Sequence, residues 1–193
     1  MPDLPGLPSR LITLPWSFFA TETVTVARAL LGKFLVHRTT GVERVGRIVE
    51  TEAYLGTHDL AAHSSHGKTK RNASMFGPIG HAYVYMIYGM YECMNIVTES
   101  EGKGAAVLIR ALEPVRGIDG RTSGPGLLTR AMGITRVLDG CDLLSDDFHV
   151  AHDPDAGAFR VATASRIGVG YAGRWSARLL RFYVRDNPFV SRR

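Results

Sequence analysis

Between Tyr83 and Tyr91 the chain gathers four of its seven tyrosines around one glycine, in the run Tyr83-Val84-Tyr85-Met86-Ile87-Tyr88-Gly89-Met90-Tyr91. Aromatic and apolar residues of this kind favour extended backbone, and a glycine inside such a run breaks the strand and supplies a tight turn. The segment commits the chain to an antiparallel hairpin, His81 to Tyr88 against Tyr91 to Thr98, with Tyr88-Gly89-Met90 at its tip. A packed aromatic β-core explains some of these tyrosines. It does not easily explain a large aromatic and a methionine at a turn.

The neighbouring segments extend the sheet. Lys33 to Arg38 and Glu43 to Leu55 read as two strands joined across Thr39-Thr40-Gly41-Val42, and Ala105 to Leu112 as another. Thr23 to Leu31 carries Val24, Ala27, Leu30 and Leu31 at helical spacing, with Gly32 as the C′ residue. Ser123-Gly124-Pro125 opens a second helix, with Ser123 as N-cap and Leu127, Leu128, Ala131 and Met132 on its inner face. Residues 56–80 read as a long loop, and loops of that length inside a compact domain are often functional. With 193 residues, 45% of them apolar, the expectation is one α+β domain over residues 1–193, with residues 1–20 an irregular N-terminal segment.

No uncharged apolar run approaches the 18 or more residues of a membrane span, and the Pro-rich start does not read as a secretion signal. A membrane protein, a fibrous protein and a long disordered chain are excluded. The two cysteines, Cys93 and Cys141, have no CxxC spacing, so reduced thiols in a cytoplasm are expected. Net charge is +5, and all but four of the 23 basic residues are arginine. Guanidinium groups meet phosphate in a bidentate manner, which raises the expectation of a nucleic acid or other polyanion, a merely basic enzyme being the plainer alternative. Asp139 to Asp155 holds six aspartates and no lysine or arginine, and reads as a surface loop. Arg160 to Arg193 holds eight arginines against Asp186 alone, interleaved with apolar and aromatic residues, and reads as folded chain with arginines projecting from one surface.

Four segments carry chemistry. In Arg47 to Leu55, strand alternation puts Glu50, Glu52 and Tyr54 on one face, as suits a planar group stacked on the ring with a carboxylate handling a proton. A half-exposed strand whose glutamates meet solvent is the plainer alternative. In the hairpin, Tyr88 and Met90 form a wedge of the sort pushed between base steps, and Tyr85 is free to stack on a base in a pocket. In Val107 to Pro114, Arg110 sits within an apolar strand and needs a carboxylate, a backbone oxygen or a bound anion. In the long loop, His58, Asp59, His63 and His66 invite a metal reading, but their spacing matches no metal motif. Lys68, Lys70 and Arg71 suit phosphate contacts better.

Together these segments resemble the alkyladenine (3-methyladenine) DNA glycosylase family, from about Ala27 to Val190. The resemblance rests on Ile48-Val49-Glu50-Thr51-Glu52-Ala53-Tyr54-Leu55-Gly56, Asp59-x-x-x-His63, Thr69-x-Arg71-Asn72-x-x-Met75-Phe76, Tyr83-Val84-Tyr85-x-x-Tyr88-Gly89-Met90, Arg110-Ala111-Leu112-Glu113-Pro114, Ser123-Gly124-Pro125 and Arg166-Ile167-Gly168-Val169-Gly170. It implies a single α+β domain around a curved antiparallel sheet flanked by helices, with a protruding hairpin. It implies removal of damaged purines from duplex DNA by base flipping and hydrolysis of the N-glycosidic bond. Glu52 matches the water-activating carboxylate. Arg110 matches the arginine that helps hold the water, with a backbone carbonyl from Arg166 to Gly170. Tyr54, His63 and Tyr85 match the residues enclosing the flipped base, Asn95 the amide that crowds the exocyclic amine of guanine, and Tyr88 the intercalating wedge. Glu92 follows the wedge hairpin where mammalian relatives carry an aromatic, and a carboxylate near DNA would repel phosphate. None of Lys33, Lys68, Lys70 and Lys103 lies in the Glu52 or Arg110 strands, so a Schiff-base lyase is not expected. The expected protein is a monomeric, cytoplasmic hydrolase acting on duplex DNA, with no metal, no organic cofactor and no membrane partner.

Overall fold

A computed structural model describes residues 10–192. The tyrosine-rich segment forms two strands, Ala82–Ile87 and Tyr91–Val97, in unbroken register from Ala82 opposite Ile96 to Ile87 opposite Tyr91. Tyr88 and Gly89 both take positive φ, +53° and +68°. Three residues, Tyr88, Gly89 and Met90, close the hairpin between Ile87 and Tyr91, with the Met90 amide donating to the Ile87 carbonyl at 3.3 Å.

In chain order the strands are β1 (Ile12–Thr13), β2 (Phe34–Thr39), β3 (Val42–Tyr54), β4 (Ala82–Ile87), β5 (Tyr91–Val97), β6 (Ala106–Arg116), β7 (Phe148–His152), β8 (Val161–Ala164) and β9 (Arg181–Val184). The helices are short: α1 (Trp16–Phe19), α2 (Thr23–Ala29) and α3 (Pro125–Met132). All strand pairings are antiparallel, in the order β1-β7-β2-β3-β6-β5-β4, with β9 joined to β3 and β8 to β9. The α+β single-domain architecture is the one expected. Helices α2 and α3 lie against β3, β5 and β6, and the main core includes Ala27, Leu30, Ile48, Ile96, Ile109, Leu128 and Phe182.

The 13-residue β3 has two different neighbours on one edge. Its first half pairs with β2 and its second half, Glu50 to Glu52, with β9, while β6 runs along the other edge. Strand pairing on both edges, with α2 anchored by Thr51 Oγ1 donating to the Ala27 carbonyl at 2.8 Å, shields every residue from Ile48 to Ala53 from solvent. The half-exposed strand considered from sequence is therefore absent: Glu50 and Glu52 are both 0% exposed.

Several other expectations are corrected. Gly124, not Ser123, takes the N-cap of α3, because Ser123 bridges to Ala111 and Gly124 donates to the Arg110 carbonyl at φ +130°. The acidic stretch is not simply a loop, since Phe148–His152 lies within the sheet. The C-terminal arginines do not all project outward, since Arg166 and Arg181 are buried against carboxylates. Residues 1–9 of the N-terminal segment expected to be irregular lie outside the described residues. Within its remainder, β1 pairs with β7 and α1 makes one helical turn. Among the described residues no helix is long and apolar enough to cross a membrane.

Candidate active site

Beside the hairpin lies a cavity of about 360 Å³. Its walls come from β4 and β5 (Tyr85, Asn95), the end of β3 (Tyr54), β6 (Arg110), the long loop (His63, Arg71) and the segment Ile167 to Tyr171. Tyr88 stands at its rim. The residues picked out from sequence for base binding thus meet around one space. Met90 is at the hairpin tip, 65% exposed but not on the cavity wall, and Lys68 and Lys70 are exposed on the loop away from it.

The long loop is packed rather than open. Two 3-10 turns, His63–His66 and Ala73–Phe76, cover a second apolar cluster that includes Met75, Phe76, Ile79 and Tyr83. The loop is held by its own polar side chains. Asn72 Nδ2 donates to the carbonyls of His63 and Gly67 at 3.0 Å, and its Oδ1 accepts from the Thr69 amide at 2.6 Å. Asp59 accepts from the amides of Leu55 and Ala61 and from both terminal nitrogens of Arg166, at 2.5 and 2.8 Å. Arg166 also donates to the Ala53 carbonyl and lies 4.8 Å over the Tyr54 ring. The Asp59–Arg166 pair therefore joins the loop, β3 and the Ile167 segment. Among the described residues no group of three or more His, Cys, Asp or Glu is arranged to hold a metal.

Aromatic rings line the cavity in contact with one another. His63 meets Tyr85 edge-on at 4.4 Å between ring centres, and Tyr83 is 5.2 Å from Tyr85. The Tyr83 hydroxyl and His63 Nδ1 are hydrogen-bonded at 2.8 Å. Burial, with the charge of Arg71, pulls the His63 pKa below its usual range, so the ring is neutral at pH 7. Burial pushes the phenols of Tyr54 and Tyr85 well above their usual value, and the Cys93 thiol up to about 11. Asn95 Nδ2 donates to the Tyr83 carbonyl at 3.1 Å, which fixes the amide at the cavity wall. Arg71 donates to the Met86 carbonyl at 2.9 Å, pinning the loop to the hairpin.

Glu52 lies one layer beneath this wall. Oε1 accepts from the Ile167 amide at 2.7 Å and lies 3.4 Å from Arg110 Nη1, and Oε2 accepts from the Tyr54 hydroxyl at 2.8 Å. All three partners face the cavity. A carboxylate has about four accepting positions, so three partners leave one. Burial raises the Glu52 pKa; Arg110, the Ile167 amide and Tyr54 oppose that shift, and Glu50 adds to it. Arg110 owes its place to a pair of bulges. Register slips between Ile48 and Glu50 and between Glu50 and Thr51 pair Glu50 with Ala111 but Thr51 with Ile109, leaving Arg110 without a partner in the ladder. A bulge re-aims the side chain it carries, and Arg110 meets Glu50 and Glu52 together.

Sequence reasoning missed Asp59 and Arg166 as a buried pair, Asn72 as the pin of the loop, the Ile167 amide, and Tyr171, whose hydroxyl donates to the Ala61 carbonyl across the cavity mouth at 3.1 Å. Asp59, Asn72 and Arg166 do stand inside sequence motifs, so their types were visible but not their partners. The Glu92 side chain is only 16% exposed, and its Oε1 lies 3.5 Å from Arg136 Nε.

A family model described as methylpurine-DNA glycosylase matches residues 17–188. A protein of Legionella pneumophila (strain Corby) named "Putative 3-methyladenine DNA glycosylase" is 58% identical over 179 residues, covering 93% of this chain and 98% of its own length. Proteins of the same name from Myxococcus xanthus and Anaeromyxobacter dehalogenans (strain 2CP-1) are 50% and 54% identical, each over 93% of this chain and over 93% and 85% of their own lengths.

Proposed function

The chain belongs to the methylpurine-DNA glycosylase family, and from that premise we propose that it excises damaged purines by turning the nucleotide into the tyrosine-lined cavity and hydrolysing its N-glycosidic bond with a water activated by Glu52. The observation that carries this reading is a buried carboxylate, with one accepting position free, beneath an aromatic cavity of about 360 Å³.

A nucleotide inside the stack cannot be attacked, so it must leave the helix, and stacking on protein aromatics offsets part of that cost by about 1–3 kcal/mol per base. Tyr54, Tyr85 and His63 supply those faces. Tyr88 fills the gap left in the duplex, with Met90 beside it, and Asn95 crowds the exocyclic amine of guanine. Lys68, Lys70 and Arg71 meet backbone phosphate. Water attacks C1′ of the deoxyribose and its proton passes to Glu52, while the C1′–N bond breaks and the purine leaves with the bonding electrons. Arg110 holds the water and opposes the loss of charge at Glu52. A purine alkylated at a ring nitrogen is cationic and leaves neutral without further protonation. Hypoxanthine and ethenoadenine need a proton on the leaving base, and a neutral His63 is a poor source of it. On this reading water is the nucleophile and no lyase step takes place, since no lysine lies in the strands that carry Glu52 and Arg110. It works as a monomer on duplex DNA, in the cytoplasm at the nucleoid.

The test is single-turnover base release from duplex oligonucleotides carrying an alkylated adenine, hypoxanthine or ethenoadenine. General-base chemistry is worth about 10²–10⁴ in rate, so Glu52→Gln should lose release by that order on every lesion the wild type accepts. Release at the wild-type rate by Glu52→Gln would overturn the assignment of the base. Tight binding of damaged duplex with no release by the wild type would make the protein a sensor instead.

A further inference from the structure

Arg110 meets two carboxylates, and the reaction above uses only Glu52. Glu50 is buried with both oxygens engaged. Its Oε1 accepts from Arg110 Nε at 3.2 Å and from Arg181 Nη1 at 2.9 Å. Its Oε2 accepts from the backbone amide of Ser191 at 2.7 Å. Two further contacts come from the same stretch of chain: Arg181 Nη1 donates to the Arg192 carbonyl at 2.7 Å, and Arg110 Nη2 reaches Ser191 Oγ at 3.4 Å. The stretch is seated by Asn187 Nδ2 on Glu113 at 2.9 Å, and by Val190, buried against Val49 and Ala111.

We propose that the strap Asn187–Arg192 and Glu50 together form a positioning device for Arg110, holding its Nε edge on Glu50 so that Glu52 keeps one guanidinium contact rather than two. The inference rests on the assignment of Glu52 as the base. A guanidinium is a rigid fork that pairs best with both oxygens of one carboxylate. Released from Glu50, Arg110 would close on Glu52 in that way, occupying the position a water needs and weakening the carboxylate as a base. Glu50 prevents this only if it cannot turn. The Ser191 amide on Oε2 and Arg181 on Oε1 fix it from the side away from the cavity. The two carboxylates and two guanidiniums also balance in charge, as buried ions require.

The measurement compares Ser191→Pro, which removes the amide donor, with Glu50→Gln and Glu52→Gln in the full chain. It reads the single-turnover release rate at saturating enzyme, its pH profile, the Kd for duplex holding a tetrahydrofuran abasic analogue, and Tm. A misplacement of about 1 Å at a reacting group costs up to about 10²-fold, so Ser191→Pro and Glu50→Gln should slow release by about 10–100-fold while Kd changes by less than about threefold. The acid limb of the rate should move to lower pH, because Glu52, faced by Tyr54, Arg110 and the Ile167 amide, loses the neighbouring charge of Glu50 or gains a second contact from Arg110. Ser191→Ala keeps the amide and should recover most of the rate. A folded Ser191→Pro with release within about twofold of wild type overturns the inference, as does a rate loss matched by an equal loss of DNA binding. Should Glu50→Gln fail to fold, Ser191→Pro decides alone. Loss of release in Glu52→Gln with wild-type rates in the other two overturns this inference and leaves the base assignment standing. Full rate in Glu52→Gln overturns both.

Discussion

At the floor of the cavity, Glu50, Glu52, Arg110 and Arg181 are shut from solvent, and each is bonded to groups on other segments. At the hairpin tip a few residues away in sequence from the cavity wall, Tyr88 is 86% exposed, at a positive φ that costs any residue but glycine. The floor is over-determined, so that charges can be kept where water would otherwise solvate them. The tip is under-determined: Tyr88 and Met90 project into solvent. One cavity therefore combines a part whose stability and function are coupled with a part where they are separable.

The sharpest way to break that contrast is Asp59→Asn. Arg166 would remain buried with half its partner gone, and breaking one side of a buried ion pair costs about 3–5 kcal/mol. For a chain of this size that is a fall in Tm of about 10 °C or more, measurable by calorimetry, with base release failing as the Ile167 segment loosens. Tyr88→Gly comes next and should do the opposite. Glycine relieves the positive φ, so Tm should hold or rise, while duplex affinity in a fluorescence titration should fall by the ~1–3 kcal/mol that one stacked aromatic supplies. A matching fall in Tm would mean the tip is part of the fold after all. The smallest effect is the pH dependence of the floor. Because burial raises the Glu52 pKa, release should decline on an acid limb placed above the ordinary carboxylate value of 4.5, by about tenfold per pH unit below it. The linkage has a definite sign: the ionised group is less favourable folded than unfolded. Its penalty is absent below 4.5, grows as pH rises to the folded pKa and is complete above it. Glu52→Gln should accordingly keep or gain thermal stability at neutral pH while losing release.

The tip was legible in the sequence because a hairpin is local: Tyr88, Gly89 and Met90 are adjacent, and turn chemistry needs no distant partner. The alternation that set Glu50, Glu52 and Tyr54 on one face was equally local, and Glu52 does bond to Tyr54. The burial of those glutamates was not legible, because it depends on β9 replacing β2 as the neighbour of β3. Nor was the company Arg110 keeps, which depends on two bulges. The C-terminal arginines looked like a surface because charge counts carry no information about pairing. Two of them are the counter-ions of Asp59 and Glu50.

The change of partner along β3 also sets the order in which the molecule can be assembled. Glu50 is 131 residues from Arg181 and 141 from Ser191, so its carboxylate has no complete shell until nearly the whole chain is available. Pairings this distant close late and slow folding. A nascent chain ending near residue 160 could form the hairpin and the β2–β3 ladder, yet would leave Glu50 and Glu52 beside an open sheet edge. The buried floor is thus a checkpoint on chain completion, and a truncated product would carry the aromatic tip above a floor whose charges lack their partners.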